Sequence, residues 1–305
     1  MTTALTETTL RLDYRAPLDT VGVLAFLGAR SVGGIEITGS SYARLLDLPH
    51  GPGFAQLRPA DDQVVGDLEL TDPRDETVAV RLCRGLFDLD ADPSVINGVL
   101  GSDPALAPLI ASSPGTRLPV DVSAFEVAVR AIVGQQVSVA GARTTLTRLV
   151  SRLGRRVELA TATGLGLDRL FPTPAALAEA DPTSLGMPAS RGRTPVGLGR
   201  AVAGGDLVLD RNADREQTRQ RLLELRGIGP GPAGYIAMRG LGDPDVLLPG
   251  DVVVRRMLAA VGLDRSDRAA ADHAERWRPW RSYVVMHLWR LAAAGVDTRT
   301  TGQAR

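Results

Sequence analysis

The chain has 305 residues, 44% of them hydrophobic, with 35 basic against 35 acidic side chains and a formal net charge of zero. That length allows two or three domains with a sizeable core, while the balanced charge argues neither for nor against a nucleic-acid partner, because local patches steer DNA. No apolar run approaches a membrane span and Met1 to Glu7 lacks the basic-then-apolar pattern of a secretion signal, so a cytoplasmic protein with no membrane partner is expected.

Short alternating runs predict strands over Thr9 to Tyr14, Gly34 to Thr38, Tyr42 to Leu46 and Val64 to Leu70, with one helix-like stretch over Leu18 to Arg30. Several short strands and a helix imply an antiparallel sheet packed on that helix. From Asp75 onward the pattern is helical, with breaks at Asp92-Pro93, Asp103-Pro104, Ser113-Pro114-Gly115, Pro172, Asp181-Pro182 and Gly186-Met187-Pro188. The expected fold is α+β, a small N-terminal antiparallel sheet domain followed by two mostly helical subdomains. The expected divisions are a sheet domain over 1–74, a helical segment over 75–120 that joins the C-terminal subdomain, a central helical subdomain over 121–225, a C-terminal part over 226–295 and a disordered tail over 296–305. A cleft between the helical subdomains is the natural ligand site.

Cys83 is the only cysteine, which excludes a disulfide within the chain and a four-thiolate iron–sulfur cluster. His50, His273 and His287 show no metal-ligand spacing, and no metal site is expected. His287 lies in an apolar helix pattern and reads as structural. All 35 basic residues are arginine. Without lysine the chain lacks the amine that usually forms a Schiff base with a sugar, leaving only the N-terminal amine for that chemistry.

The most informative stretch is Leu225-Arg226-Gly227-Ile228-Gly229-Pro230-Gly231. It lies between a polar helix-patterned segment, Ala213 to Glu224, and a second one opened by Pro232 that runs through Tyr235 and Met238 to Leu241. Two short helices joined by a glycine-rich turn aim backbone N–H groups outward, and such a nest with a helix N-terminus behind it suits a phosphate. A lone carboxylate follows in Leu248-Pro249-Gly250-Asp251. The spacing Gly229-x-Gly231-x-x-Gly234 also matches a dinucleotide fingerprint, but that motif must follow a short buried strand. Here Arg215 to Arg221 is a solvated, helix-like run, and Pro230 and Pro232 delete two donors.

Gly227 to Met238, then Pro244-Asp245 and Asp251 followed by Arg255-Arg256, resembles the helix-hairpin-helix glycosylase superfamily. Phe125 to Ser138, which contains Gly134-Gln135-Gln136-Val137, is similar to the segment that opens the helical core in AlkA-type 3-methyladenine DNA glycosylases. Trp277 to Tyr283, continuing to His287-Leu288-Trp289-Arg290, resembles their last helix. The likeness runs in order from about Leu10 to about Gly295.

The resemblance implies a monofunctional DNA glycosylase that initiates base excision repair. Such an enzyme flips an alkylated purine of the 3-methyladenine type out of damaged double-stranded DNA, stacks it on aromatic side chains and hydrolyses the N-glycosidic bond. Asp251 matches the acid that stabilises the oxocarbenium-like sugar and activates water; its ordinary structural role is a helix N-cap. Asp243 and Asp245 are local alternatives that a turn signal explains. Phe26, Tyr235 and Trp289 correspond to the family's pocket aromatics, although core packing explains each taken singly. Gln136 falls where the family inserts a wedge into the gap left by the flipped base, and is otherwise a polar helix-terminal residue. Gly227, Ile228, Gly229 and Gly231 match the backbone groups that hold phosphate, with a monovalent cation on the hairpin carbonyls and no other cofactor. Arg255, Arg256, Arg278 and Arg281 are phosphate contacts or solvated surface. A monomer is expected.

Departures from the pattern are specific. Gly231 and Pro232 stand where the family hairpin carries Trp-Thr, removing one aromatic wall, and Val252 follows the acid where a tyrosine can stand. Arg191 to Gly199 carries a proline and three glycines in a stretch that should be helical, which weakens that helix. These changes keep open the alternative of a non-catalytic or weakly active damage-binding protein.

Overall fold

The computed structural model describes residues 5–264 and 266–295; the disordered tail expected over 296–305 lies outside the described residues. β1 (Thr6–Asp13), α1 (Thr20–Arg30), β2 (Glu36–Thr38), β3 (Tyr42–Leu48), β4 (Gly51–Pro59) and β5 (Gln63–Leu70) form the N-terminal part. The strands make one antiparallel sheet ordered β1-β5-β4-β3-β2, so the chain's first strand closes on its fifth. β4 is absent from the sequence expectation because Gly51-Pro52-Gly53 and Pro59 read as turn punctuation. It is nonetheless the middle strand. A Cβ on Gly53 would lie 2.8 Å from a Leu48 methyl and 2.9 Å from a Leu70 methyl, so this glycine is a close-packing site within the sheet.

α1 and α2 (Glu76–Phe87) cover one face of the sheet and bury Val23, Leu27, Leu46, Leu57, Leu68, Cys83 and Phe87 together. The boundary expected at 74 therefore separates the sheet from a helix that shares its core. The helical run that joins the C-terminal core begins later, with α3 (Pro93–Leu100) and α4 (Ala107–Ser112). The other sheet face is also covered: Ala43, Leu45 and Phe54 pack on Val157, Leu159, Leu167 and Leu170. This explains why β3 is buried at every position except Asp47.

The central helices are α5 (Ala124–Val133), α6 (Val139–Leu153), α7 (Ala160–Gly164), α8 (Pro174–Ala178), α9 (Ala189–Ala203) and α10 (Arg215–Glu224). α9 is unbroken, against the expectation of a weakened helix, even with Pro195 inside it. Two of its three glycines serve packing: a Cβ on Gly192 would fall 2.1 Å from the Pro182 carbonyl oxygen, and one on Gly199 2.8 Å from that of Pro174. The helix-propensity cost of glycine is offset by backbone approach to α8 and the turn after it.

α11 (Pro230–Arg239), α12 (Val252–Ala260), α13 (Asp267–His273) and α14 (Arg281–Ala293) complete the chain. The second hairpin helix thus starts at Pro230, two residues before the expected Pro232, with Gly229 as its N-cap. α11 is the seam between two cores. Ile228, Ala233 and Ile236 join α5, α6, α9 and α10, Met238 joins α12 and α14, and Tyr235 touches both.

A buried ion network fixes α5 against the sheet. Arg44 of β3, 2% exposed, reaches Asp121 and Glu126 at 3.0 Å each, while Arg130 of α5 reaches Glu36 of β2 at 2.6 Å and also pairs with Glu126. Three carboxylates and two guanidinia, all largely buried, satisfy one another, the condition under which buried charge is tolerated. No helix among the described residues is long and apolar enough to cross a membrane.

Candidate active site

A cleft of about 680 Å³ opens between the two helical cores, within the size range of small-molecule sites. Its lining includes Gln136, Gly231, Tyr235, Asp251 and Trp289, five of the residues singled out in the sequence, drawn from the ends or faces of α5, α11, α12 and α14.

Asp251 is the N-cap of α12. Its Oδ1 accepts the Val254 N–H at 2.9 Å, and its backbone N–H donates to the Leu248 carbonyl at 3.0 Å. The cap orients the carboxylate and leaves Oδ2 without a hydrogen-bond partner among the described residues. The neighbouring acids are committed elsewhere. Asp245 is held by Arg281 at 2.7 Å and by Arg278, and Asp243 accepts the Asp245 N–H at 2.9 Å. Both therefore act as structural turn residues behind the cleft, and Arg278 and Arg281 are occupied by the same pairing.

Tyr235 and Trp289 are half-buried with ring centroids 6.0 Å apart. Phe26 stacks on Trp289 at 6.1 Å with an interplanar angle of 16°. It does not line the large cleft. It faces a smaller cavity of about 360 Å³ on the far side of Trp289, so its place is behind the wall rather than on it. Gly231 leaves its position open, with no atom within 4 Å of a Cβ built there, and Val252 is 70% exposed beside Asp251.

Gln136 is exposed with φ of 58°, in the left-handed region that glutamine rarely adopts. The turn carrying it is clamped: Arg191 donates to the Gln135 carbonyl at 2.7 Å, and Gln135 Nε2 donates to the Gly227 carbonyl at 3.0 Å. Val137 and Val139, 42% and 48% exposed, flank it at the cleft mouth.

The hairpin differs in detail from the expectation of four outward backbone groups. The Ile228 N–H is spent on the Leu225 carbonyl at 3.0 Å and its side chain is buried, so Ile228 is an anchor. Pro230 and Pro232 have no N–H, which leaves the amides of Gly229 and Gly231 as donors without protein partners among the described residues. Gly227, φ 94°, is required by geometry, since a Cβ would sit 2.3 Å from Thr194 Oγ1. Its carbonyl is already engaged by Gln135, using one lone pair that a bound cation would otherwise take. Among the described residues no cluster of three or more His, Cys, Asp or Glu is placed to hold a metal ion.

The cleft floor was not foreseen from sequence. Arg30, Glu36, Asp121, Arg130 and Arg239 all line it. Desolvation raises the Glu126 carboxyl beneath it; at Asp121 desolvation also opposes charge, but Arg44 and Arg130 outweigh it and hold that carboxyl low. Burial likewise works to raise the Tyr235 phenol, yet Arg239 and Arg30 bring it below the ordinary tyrosine value. A signal was available: Arg30 and Arg239 follow Phe26 and Tyr235 by four residues on helices, the spacing that puts side chains on one face.

Residues 9–123 match the family described as AlkA N-terminal domain. The chain is 44% identical over 281 residues to a Mycobacterium tuberculosis protein named "Probable bifunctional transcriptional activator/DNA repair enzyme AlkA", covering 92% of this chain but 56% of that protein, so it spans little more than half of that relative. It is 36% identical over 284 residues to the Escherichia coli protein named "DNA-3-methyladenine glycosylase 2", covering 91% of this chain and 95% of that one. The fold is shared with the structure of "3-methyladenine dna-glycosylase from Archaeoglobus fulgidus", at a TM-score of 0.80 and 19% identity over 95% of this chain and 99% of that one. The chain belongs to the AlkA family, whose members include DNA-3-methyladenine glycosylase 2.

Proposed function

We propose that this chain is a hydrolytic DNA glycosylase that removes alkylated purines of the 3-methyladenine type from double-stranded DNA, acting as a cytoplasmic monomer. The observation that carries this reading is the convergence of Asp251, Tyr235 and Trp289 on one cleft. The flipped base stacks on Trp289 and Tyr235. As the glycosidic bond lengthens, the cap-held Asp251 carboxylate stabilises charge on the sugar and takes the proton of the attacking water. Gln136 enters the gap left in the duplex, and the Gly229 and Gly231 amides hold a phosphate at the α11 N-terminus. A monovalent cation on the hairpin carbonyls is compatible with this arrangement. The lack of lysine supports hydrolysis without strand scission.

The test is incubation with methylated duplex DNA. Free alkylated base is released, the strand stays intact at the abasic site, and borohydride traps no covalent protein–DNA adduct. Tight binding to abasic duplex with no base release from any lesion would instead favour a damage-binding protein, the reading that Gly231 and Val252 motivate.

A further inference from the structure

Among the described residues only Asp88 and Gln136 combine a side chain with a left-handed backbone. Asp88 is the C-cap of α2, an ordinary place for that conformation. Gln136 caps nothing. The α5 C-cap is Gly134, in the right-handed region, and the α6 N-cap is Ser138. The left-handed residue thus stands in mid-turn, where sterics disfavour it by roughly tenfold. Such a residue persists when its surroundings over-determine it.

Arg191 of α9 provides those surroundings. Its Nη2 donates to the Val133 carbonyl at 3.2 Å and to the Gln135 carbonyl at 2.7 Å. One charged donor therefore spans the last residue of α5 and the residue just before Gln136. Carbonyls at a helix C-terminus lack intrahelical donors and attract cations. Arg191 is half-buried and is not among the residues that line the cleft, so it stands behind the turn rather than in the base pocket. Three residues along α9, on the same side, Thr194 abuts the hairpin at Gly227. The Gln135 side chain closes the triangle on the Gly227 carbonyl. α9 thus seats the hairpin and the Gln136 turn on one element.

We propose that Arg191 is a positioning residue for base flipping; this rests on the glycosylase reading above. By holding the Val133 and Gln135 carbonyls it keeps Gln136 in the left-handed conformation from which its side chain enters the gap left by the flipped nucleotide. The cost of that conformation falls on folding rather than on DNA binding, which is preorganisation. Without the clamp the turn relaxes, and only the fraction of molecules still left-handed at Gln136 is ready to insert.

The experiment titrates abasic-site duplex and undamaged duplex of the same sequence with the wild type, Arg191→Met, Gln136→Gly and the double variant, with thermal melts alongside. Arg191→Met is expected to weaken abasic-site binding about tenfold, the scale of the lost left-handed population, and to change binding to undamaged duplex by less than about twofold. Glycine adopts the left-handed conformation freely and carries no side chain to place, so in the Gln136→Gly background the same change is expected to cost less than about twofold. Arg191→Lys keeps a charged donor for the two carbonyls and is expected to restore part of the loss. Equal losses in the two backgrounds overturn the proposal by making Arg191 merely structural, and equal losses on the two duplexes overturn it by making Arg191 a phosphate contact. If Arg191→Met does not fold, a double variant that does fold supports the proposal, because the strained residue has been relieved; a double variant that also fails to fold overturns it. A wild type that releases base and prefers the abasic site, without this coupling, loses only the present inference. A wild type that does neither loses the glycosylase reading as well.

Discussion

The Gln135 side chain donates to the Gly227 carbonyl at 3.0 Å, tying the turn that carries Gln136 to the hairpin. Phosphate capture at the hairpin and insertion at the cleft mouth are therefore mechanically joined. Gln135→Ala removes one hydrogen bond, worth roughly 1 kcal/mol net, and is expected to weaken binding to abasic-site duplex several-fold. A Cβ at Gly229 meets no protein atom within 4 Å, and Gly229→Asp places a negative charge where phosphate is expected. A larger, sequence-independent loss of affinity is expected in a titration of the same duplex; undiminished binding would remove the hairpin from the interface.

Trp289→Ala is expected to reduce base release much more than binding to abasic DNA, which presents no base to stack. Stacking on an aromatic is worth about 1–3 kcal/mol per base, and with no ring at position 231 Trp289 carries a larger share of it. The open surroundings of Gly231 allow the reverse experiment. Gly231→Trp should raise the rate on 3-methyladenine by restoring a wall. Equal losses in binding and release for Trp289→Ala would mark Trp289 as structural.

Arg44→Met leaves Asp121 and Glu126 buried without their shared partner. Breaking a buried pair from one side costs about 3–5 kcal/mol, so urea denaturation should show a loss of that size. A loss below about 1 kcal/mol would show that the network is not what fixes α5 to the sheet.

A half-buried carboxyl and a buried imidazole titrate in opposition. Desolvation pushes the Asp88 carboxyl up to about 6, against hydrogen bonds from the Leu118 N–H and Tyr283 hydroxyl. Desolvation, aided by Arg290, pushes the His287 imidazole down to about 4. From pH 4 to 6 the folded state keeps a proton on Asp88 that the unfolded chain has lost, so this group makes stability fall as pH rises. His287 does the reverse: between pH 4 and 6.5 the unfolded chain holds a proton that the folded state refuses, so stability rises with pH. The two contributions offset each other. In thermal melts Asp88→Asn should steepen the loss of stability on acidification from pH 6.5 to 4, and His287→Gln should expose a fall on going from pH 4 to 6. Parallel pH profiles for the wild type and both variants would contradict this.

Local chemistry made the hairpin and Asp251 legible in the sequence, since glycine, proline and an N-cap acid carry their meaning within a few residues. β4 was hidden because its glycines serve cross-strand packing, known only once Leu48 and Leu70 are placed. The cleft floor was hidden for the same reason: Arg44, Asp121 and Glu126 come together only through tertiary pairing, and each looks like solvated surface in isolation. Ile228 matches a backbone phosphate contact by its place in the hairpin motif, whereas the fold spends its N–H on the Leu225 carbonyl and buries its side chain in the central core. Phe26 matched by position, but its ring serves as backing for Trp289.

The most direct measurement of the account is single-turnover release of 3-methyladenine by Asp251→Asn. Asparagine retains the N-cap bond to Val254, so α12 should form and affinity for abasic duplex should persist. The carboxylate's charge is lost, and the account predicts that base release falls at least about 100-fold. Release at the wild-type rate by a folded Asp251→Asn protein would contradict it.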